Sequence, residues 1–232
     1  MYHFSPAAAA LAGALALMST APAFAAGEVL ITHAKALAGN VTPGDAPNYP
    51  VTLSRPGLYH FGGNLAPPPG RVGILVATRL VTIDFRGFRL AGGGAASIGI
   101  SSTQPHATIR NGTISNFAQS GIRSTGAGWM IKEMRVIFNR QSGIDCGRAC
   151  LVEQSVVSNN GGNGINMASG AVVGNTLSEN TGFAIRGTGD GVGYGVNSLI
   201  FNTGGVFDQV DGEALAMHPN VCREPAGALA TC

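Results

Sequence analysis

The side chains best suited to chemistry recur at near-equal spacing: Arg123, Asp145, Asn166, Arg186 and Asp208. A guanidinium holds a carboxylate through paired charge-assisted hydrogen bonds, while carboxylates and amides bond hydroxyl groups. The set therefore suits an extended glycan, with Arg123 and Arg186 on uronate carboxylates and Asp145 and Asp208 on hydroxyls. In an enzyme the two aspartates would serve as acid and base. The same spacing also suits plain cross-strand ion pairs, Arg123 beside Asp145 and Arg186 beside Asp208, each contributing about 0.2–1 kcal/mol. A second outward set is Asp84, Arg110, Lys132 and Glu153.

Each member of the first set directly follows an apolar residue: Ile122, Ile144, Ile165, Ile185 and Phe207, at steps of 22, 21, 20 and 22. Two more apolar columns keep the same steps, Ile114, Val136, Val157, Leu177 and Leu199, and Ile109, Ile131, Val152, Val172 and Tyr194. Three short apolar segments per repeat near 21 residues are too short for helix-pair repeats and lack the leucine-rich signature. They predict a solenoid with three short strands per turn, each anchor stacking on its copy about 4.8 Å along the axis. Alternation along a strand then turns the residue after each anchor outward, which is how the polar columns arise. Counting Ile74, Ile100, Ile122, Ile144, Ile165, Ile185 and Phe207 gives seven rungs. On that spacing Asp145 and Asp208 stand three rungs apart, about 14 Å. Inverting glycosidases use roughly 6.5–9.5 Å, so this pair makes a poor catalytic dyad.

Five residues before each anchor of the first column stand Phe117, Asn139, Asn160, Asn180 and Asn202. The four asparagines are expected to form a structural ladder: Asn tolerates a left-handed bend, and its amide donates to one copy while accepting from the next.

With its periodicity, the segments VTIDFRGFRL (81–90) and IRNGTISNF (109–117) and the tail NVC…C, the chain from about Tyr49 to Cys232 resembles the right-handed parallel β-helix proteins of the pectate-lyase-like superfamily, in particular small secreted members. The resemblance implies an all-β, single-stranded right-handed parallel β-helix of about seven rungs of 20–22 residues, capped at both ends. It also implies polysaccharide lyase or glycoside hydrolase as the enzyme classes to consider. The NTD, DD, GHG and RIK segments of polygalacturonases and the DPHD of mannuronan epimerases are not found, and MHPN (217–220) is only a superficial echo. No catalytic residue is assigned.

The chain has 232 residues, 35 of them glycine, and a formal charge of +2 with no Lys/Arg run, which argues against nucleic-acid binding. An apolar run at 7–18 followed by APAFAAG (21–27) reads as a secretory signal cut near Ala25, too short for a membrane span. The expected organisation is a signal peptide at 1–25, an N-terminal cap with leading strands at 26–72, the β-helix at 73–210 and a C-terminal cap at 211–232. Small helical content is allowed in that last segment. Four cysteines fit an oxidising compartment, secreted or periplasmic. Of three formal pairings, Cys146–Cys150 brackets a turn and Cys222–Cys232 closes the tail; the first, closing so small a loop, contributes only ~2 kcal/mol. CxxxC lacks the usual zinc spacing and no nearby His completes a ligand set, so no metal and no cofactor is expected.

His60, His106 and His218 are isolated and read as surface or turn histidines. Tyr194 falls in an inward column and Trp129 beside a turn, so neither is placed as a sugar platform. GTGDGVGYG (187–195) reads as a glycine-rich turn, since it lacks the lysine of a phosphate loop and is not repeated. The functional expectation is a secreted, monomeric solenoid that binds polysaccharide on an outward polar face, with processing of that polysaccharide left open. The alternatives are a non-catalytic structural or adhesin-like surface protein, and a polysaccharide lyase or hydrolase.

Overall fold

The computed structural model describes residues 27–189, 191–203, 208–223 and 229–230. The signal-peptide reading, Phe207 and Cys232 fall outside these residues. What is described is an all-β parallel solenoid with a single six-residue helix, His33–Ala38.

One face is an eight-stranded parallel sheet whose members are Val51–Leu53, Ile74–Val76, Ile100–Ser102, Ile122–Ser124, Ile144–Cys146, Ile165–Met167, Ile185–Gly187 and Val210–Asp211. Eight coils rather than seven follow, because Val51 pairs with Ile74 in the register that Ile74 keeps with Ile100. The other two faces are arms of one sheet, joined where strands Ala107–Ser115 and Met130–Ile137 turn a corner unbroken. Their bends lie at Asn111 and Glu133, with φ of 61° and 54°.

Within the described residues the three predicted anchor columns point inward, with Val210 rather than Phe207 paired to Ile185. Ile109, Ile131, Val152 and Val172 stack in register, as do Ile114, Val136, Val157, Leu177 and Leu199, and all nine are fully buried. Side chains repeating with the rung leave no space between layers, so the core is three aliphatic stacks closed by their own periodicity. Phe61 and Phe85 extend it towards the N-terminus, their rings stacked with centroids 4.0 Å apart.

The asparagine ladder forms as its spacing predicts. Asn160 Oδ1 accepts from the backbone N–H of Asn139 at 3.0 Å and from Asn139 Nδ2 at 3.0 Å, while Asn160 Nδ2 donates to Asn180 Oδ1 at 2.9 Å and to the Val136 carbonyl at 3.1 Å. Asn180 and Asn202 repeat the pattern, and Phe117 N–H opens it on Asn139 Oδ1. The left-handed bend, however, belongs to the residue before the ladder: Asn116, Phe138, Asn159, Glu179 and Phe201 have φ between 55° and 58°. The ladder residues need their amides pointing inward, and the preceding residue makes the turn that aims them. Gly121, Gly143 and Gly164 leave room for the core and the ladder together: a Cβ there would lie 2.5–2.6 Å from Val136, Val157 or the Ala184 carbonyl and 2.9–3.0 Å from the Nδ2 of Asn139, Asn160 and Asn180.

At the N-terminal end the exposed sheet edges are closed by side chains and by the cap. Asp45 accepts from the backbone N–H of Thr52 at 2.7 Å and of Val41 at 3.1 Å, and the Thr42 hydroxyl donates to the Thr52 carbonyl at 2.6 Å. Val29–Ile31 adds a parallel strand on Tyr59–Phe61, so the edge of that strand is covered. At the other end Ala214–Ala216 and Val221–Arg223 are strands on the preceding coil, in a segment whose sequence allowed helix. Cys146 and Cys150 are joined, and Cys222 is also disulfide-bonded.

Candidate functional site

The outward column on the eight-stranded face is a continuous polar strip. Arg123, Asp145, Asn166 and Arg186 are adjacent across the rungs in that order. Its next member is Asp211, whose strand pairs Val210 with Ile185 and Asp211 with Arg186. Asp208, expected in that position, is exposed and three residues short of it. The constant step fails there because the chain between Asn202 and Val210 is longer than in the other coils. Gln209 compensates by reaching back to close the ladder, its Oε1 2.7 Å from Asn202 Nδ2. Arg186 Nε accordingly lies 3.1 Å from Asp211 Oδ2.

Asp145 is the centre of a closed network. Its Oδ2 accepts from the buried Ser120 hydroxyl and lies 3.5 Å from Arg123 Nε, and its Oδ1 accepts from Asn166 Nδ2 at 2.6 Å. Arg123 further donates to Gln119 at 3.1 Å and Gln141 at 2.9 Å. Asn166 is held in place by Asn163, whose Nδ2 donates to its Oδ1 at 2.7 Å. A carboxylate with three partners inside the protein has its oxygens already engaged and is poorly placed to reach a substrate. Three rungs separate it from Asp211, about 14 Å on the rung spacing, which again exceeds the separation of a hydrolytic pair.

This strip floors a cavity of about 580 Å³ lined by Arg123, Asp145, Asn166 and Arg186, with Cys146, Arg148, Ala168 and Thr188 on its wall. Four of the five predicted ligand-binding residues thus come together, and Asp208 does not join them. The wall residue that sequence reasoning missed is Arg148, which stands in a turn outside every periodic column. Its one signal is position: the turn is bracketed by Cys146 and Cys150, whose disulfide fixes it.

The second outward column is mostly structural. Asp84 is nearly buried, accepting from the backbone N–H of Arg86 at 2.9 Å and pairing with Arg110 at 3.0 Å. Lys132 and Glu153 are register neighbours. Trp129 is buried, its indole N–H on the Gln104 carbonyl at 2.8 Å, and Tyr194 is internal, so neither offers a stacking surface. Burial raises the pKa of Tyr194. His60, expected at the surface, is 5% exposed, its Nε2 3.2 Å from Glu28, because the N-terminal strand lies over it. His106 sits in a turn with φ of 58°, and His218 is exposed. Among the described residues no group of three or more His, Cys, Asp or Glu is arranged to hold a metal, and no helix is long and apolar enough to cross a membrane.

Neither a curated protein nor a solved structure matches the chain. A family profile described as the right handed beta helix region matches residues 69–203, more than half the chain and all of the coils that carry the groove. Together with the parallel coils, this makes the protein a member of the right-handed β-helix family.

Proposed function

We propose that this is an exported β-helix protein that binds polysaccharide in the groove on its eight-stranded face. The observation that carries the reading is the cavity of about 580 Å³ whose floor is the column Arg123, Asp145, Asn166 and Arg186. Its volume lies within the range of ligand sites, and its lining offers guanidinium donors beside amide and hydroxyl groups, the chemistry a glycan requires. The Cys146–Cys150 disulfide supports an oxidising compartment, secreted or periplasmic. Without an aromatic platform in the lining, affinity rests on hydrogen bonds and charge and is expected to be modest.

The network around Asp145 favours a binding protein over a lyase or hydrolase, because its carboxylate is already engaged. The same self-satisfaction also suits a structural or adhesin-like rod, in which these contacts only join the rungs. A glycan array separates the two. Binding that is lost in Arg123→Ala or Arg186→Ala supports the groove, and an array with no bound glycan leaves the rod. Incubation with acidic polysaccharides tests the enzyme class; release of unsaturated or reducing sugars would overturn the non-catalytic reading.

A further inference from the structure

Three guanidinium groups reach the groove, and two are already committed within the protein. Arg123 contacts Gln119, Ser120, Gln141 and Asp145, and Arg186 pairs with Asp211. Arg148 is exposed, and its side chain has no hydrogen bond or ion pair to the described residues. Among the described residues, counting Asp145 and Asp211 against the three arginines leaves one positive charge without an acidic partner, and it resides at Arg148.

The backbone beneath that charge is fixed. The Arg148 carbonyl accepts from Gly128 N–H at 2.9 Å, Ala149 N–H donates to the Ser169 hydroxyl at 3.0 Å, and the disulfide closes the turn on both sides. Arg148 also lines a second cavity of about 330 Å³, formed with Ala168, Ser169, Thr188 and Gly189, around the corner from the first. The two cavities share Arg148, Ala168 and Thr188, so a ligand filling both bends over the corner at the guanidinium.

We propose that Arg148 is the anion-binding residue of the groove, and that the ligand is a predominantly neutral oligosaccharide with one acidic unit at the corner. This rests on the glycan-binding reading above and narrows it. A chain carrying an acid on every sugar gains at only one point here, because the remaining guanidiniums would have to leave their own partners. The acid is a carboxylate or a sulfate ester, both of which fit a guanidinium fork.

The test is calorimetric titration of the intact protein with four probes: a neutral xylo-oligosaccharide, the same chain with one glucuronate branch, a singly sulfated oligosaccharide, and an oligogalacturonate. The wild type is expected to bind a singly acidic chain roughly ten- to a hundredfold more tightly than the neutral one, the increment of a charge-assisted hydrogen bond. Arg148→Gln should erase that increment, so that the singly acidic and neutral chains bind this variant alike, while Arg148→Lys, keeping the charge without the fork, retains part of it. Which singly acidic probe gains more assigns the acid. Unchanged selectivity in Arg148→Gln overturns the proposal and leaves the glycan reading standing, as does an oligogalacturonate that binds more than tenfold better than the singly acidic chains. A wild type that binds none of the four removes both.

Discussion

Replacing Asn160 tests whether the ladder holds the coils or merely decorates them. Asn160 is 1% exposed and stands at the middle of the column. Asn160→Ala deletes an acceptor used by two donors, Asn139 N–H and Nδ2, and a donor serving Asn180 Oδ1 and the Val136 carbonyl. Asn180 Oδ1 keeps its bond from Asn160 N–H at 3.1 Å, so the acceptor side suffers little. The two orphaned donors cost about 1–3 kcal/mol each, and the lost amide volume adds to that. A loss of roughly 3–5 kcal/mol is expected in urea denaturation, large for a single buried polar group. Asn160→Asp makes the argument sharper. A carboxylate keeps the bonds from Asn139 but faces Asn180 Oδ1 and the Val136 carbonyl, two acceptors that repel it. Burial and those acceptors raise its folded pKa, so the neutral acid is the form that folds. Stability of this variant is then greatest below the unfolded Asp pKa of about 3.9 and falls as pH rises through the higher folded value. A cost under 1 kcal/mol for Asn160→Ala, or an Asn160→Asp variant indifferent to pH relative to wild type, would refute the reasoning.

Gly143→Ala places a Cβ 2.5 Å from Val157 Cγ1 and 2.9 Å from the Gly164 carbonyl, and should destabilise by roughly 1–3 kcal/mol, read as a lower urea midpoint. Val196 is an exposed β-branched residue at φ 58°, so Val196→Gly should stabilise by about 1 kcal/mol, read as a higher midpoint, relief of left-handed strain exceeding the entropy that glycine adds to the unfolded chain. Burial pushes the Tyr49 phenol up to about 12, and raises Tyr59 as well. Their contribution to stability is whole below pH 10, the unfolded value, and is lost as pH rises towards 12, so phenolate absorbance and unfolding should coincide in an alkaline titration.

The fold was legible because a coil of three strands repeats its inward residues at fixed offsets, and the core needs aliphatic side chains at all of them. The first asparagine ladder was legible for the same reason. A second ladder was not: Asn175 Oδ1 accepts from Ser155 N–H at 2.9 Å, Asn197 Oδ1 from Asn175 Nδ2 at 3.1 Å, and Asn220 Oδ1 from Asn197 Nδ2 at 3.1 Å. It keeps a fixed offset two residues before Val157, Leu177, Leu199 and Cys222, yet its upper positions are Gly112 and Met134, so the column reads as mixed. Register failed only where the loop after Asn202 lengthened, and it carried Asp208 away from Arg186 with it.

Arg148 shows why the site was harder to read than the scaffold. A periodic position is constrained by its copies above and below, so its residue type reports packing and its chemistry is already answered, as the partners of Asp145 and Arg123 demonstrate. A turn residue has no copy to satisfy it. In a solenoid the unanswered charge therefore belongs off the repeat, on a turn whose backbone is held by something other than the ladder. Here a disulfide loop does that holding between Ile144–Cys146 and Cys150–Glu153, and it leaves one guanidinium at the corner where two cavities meet.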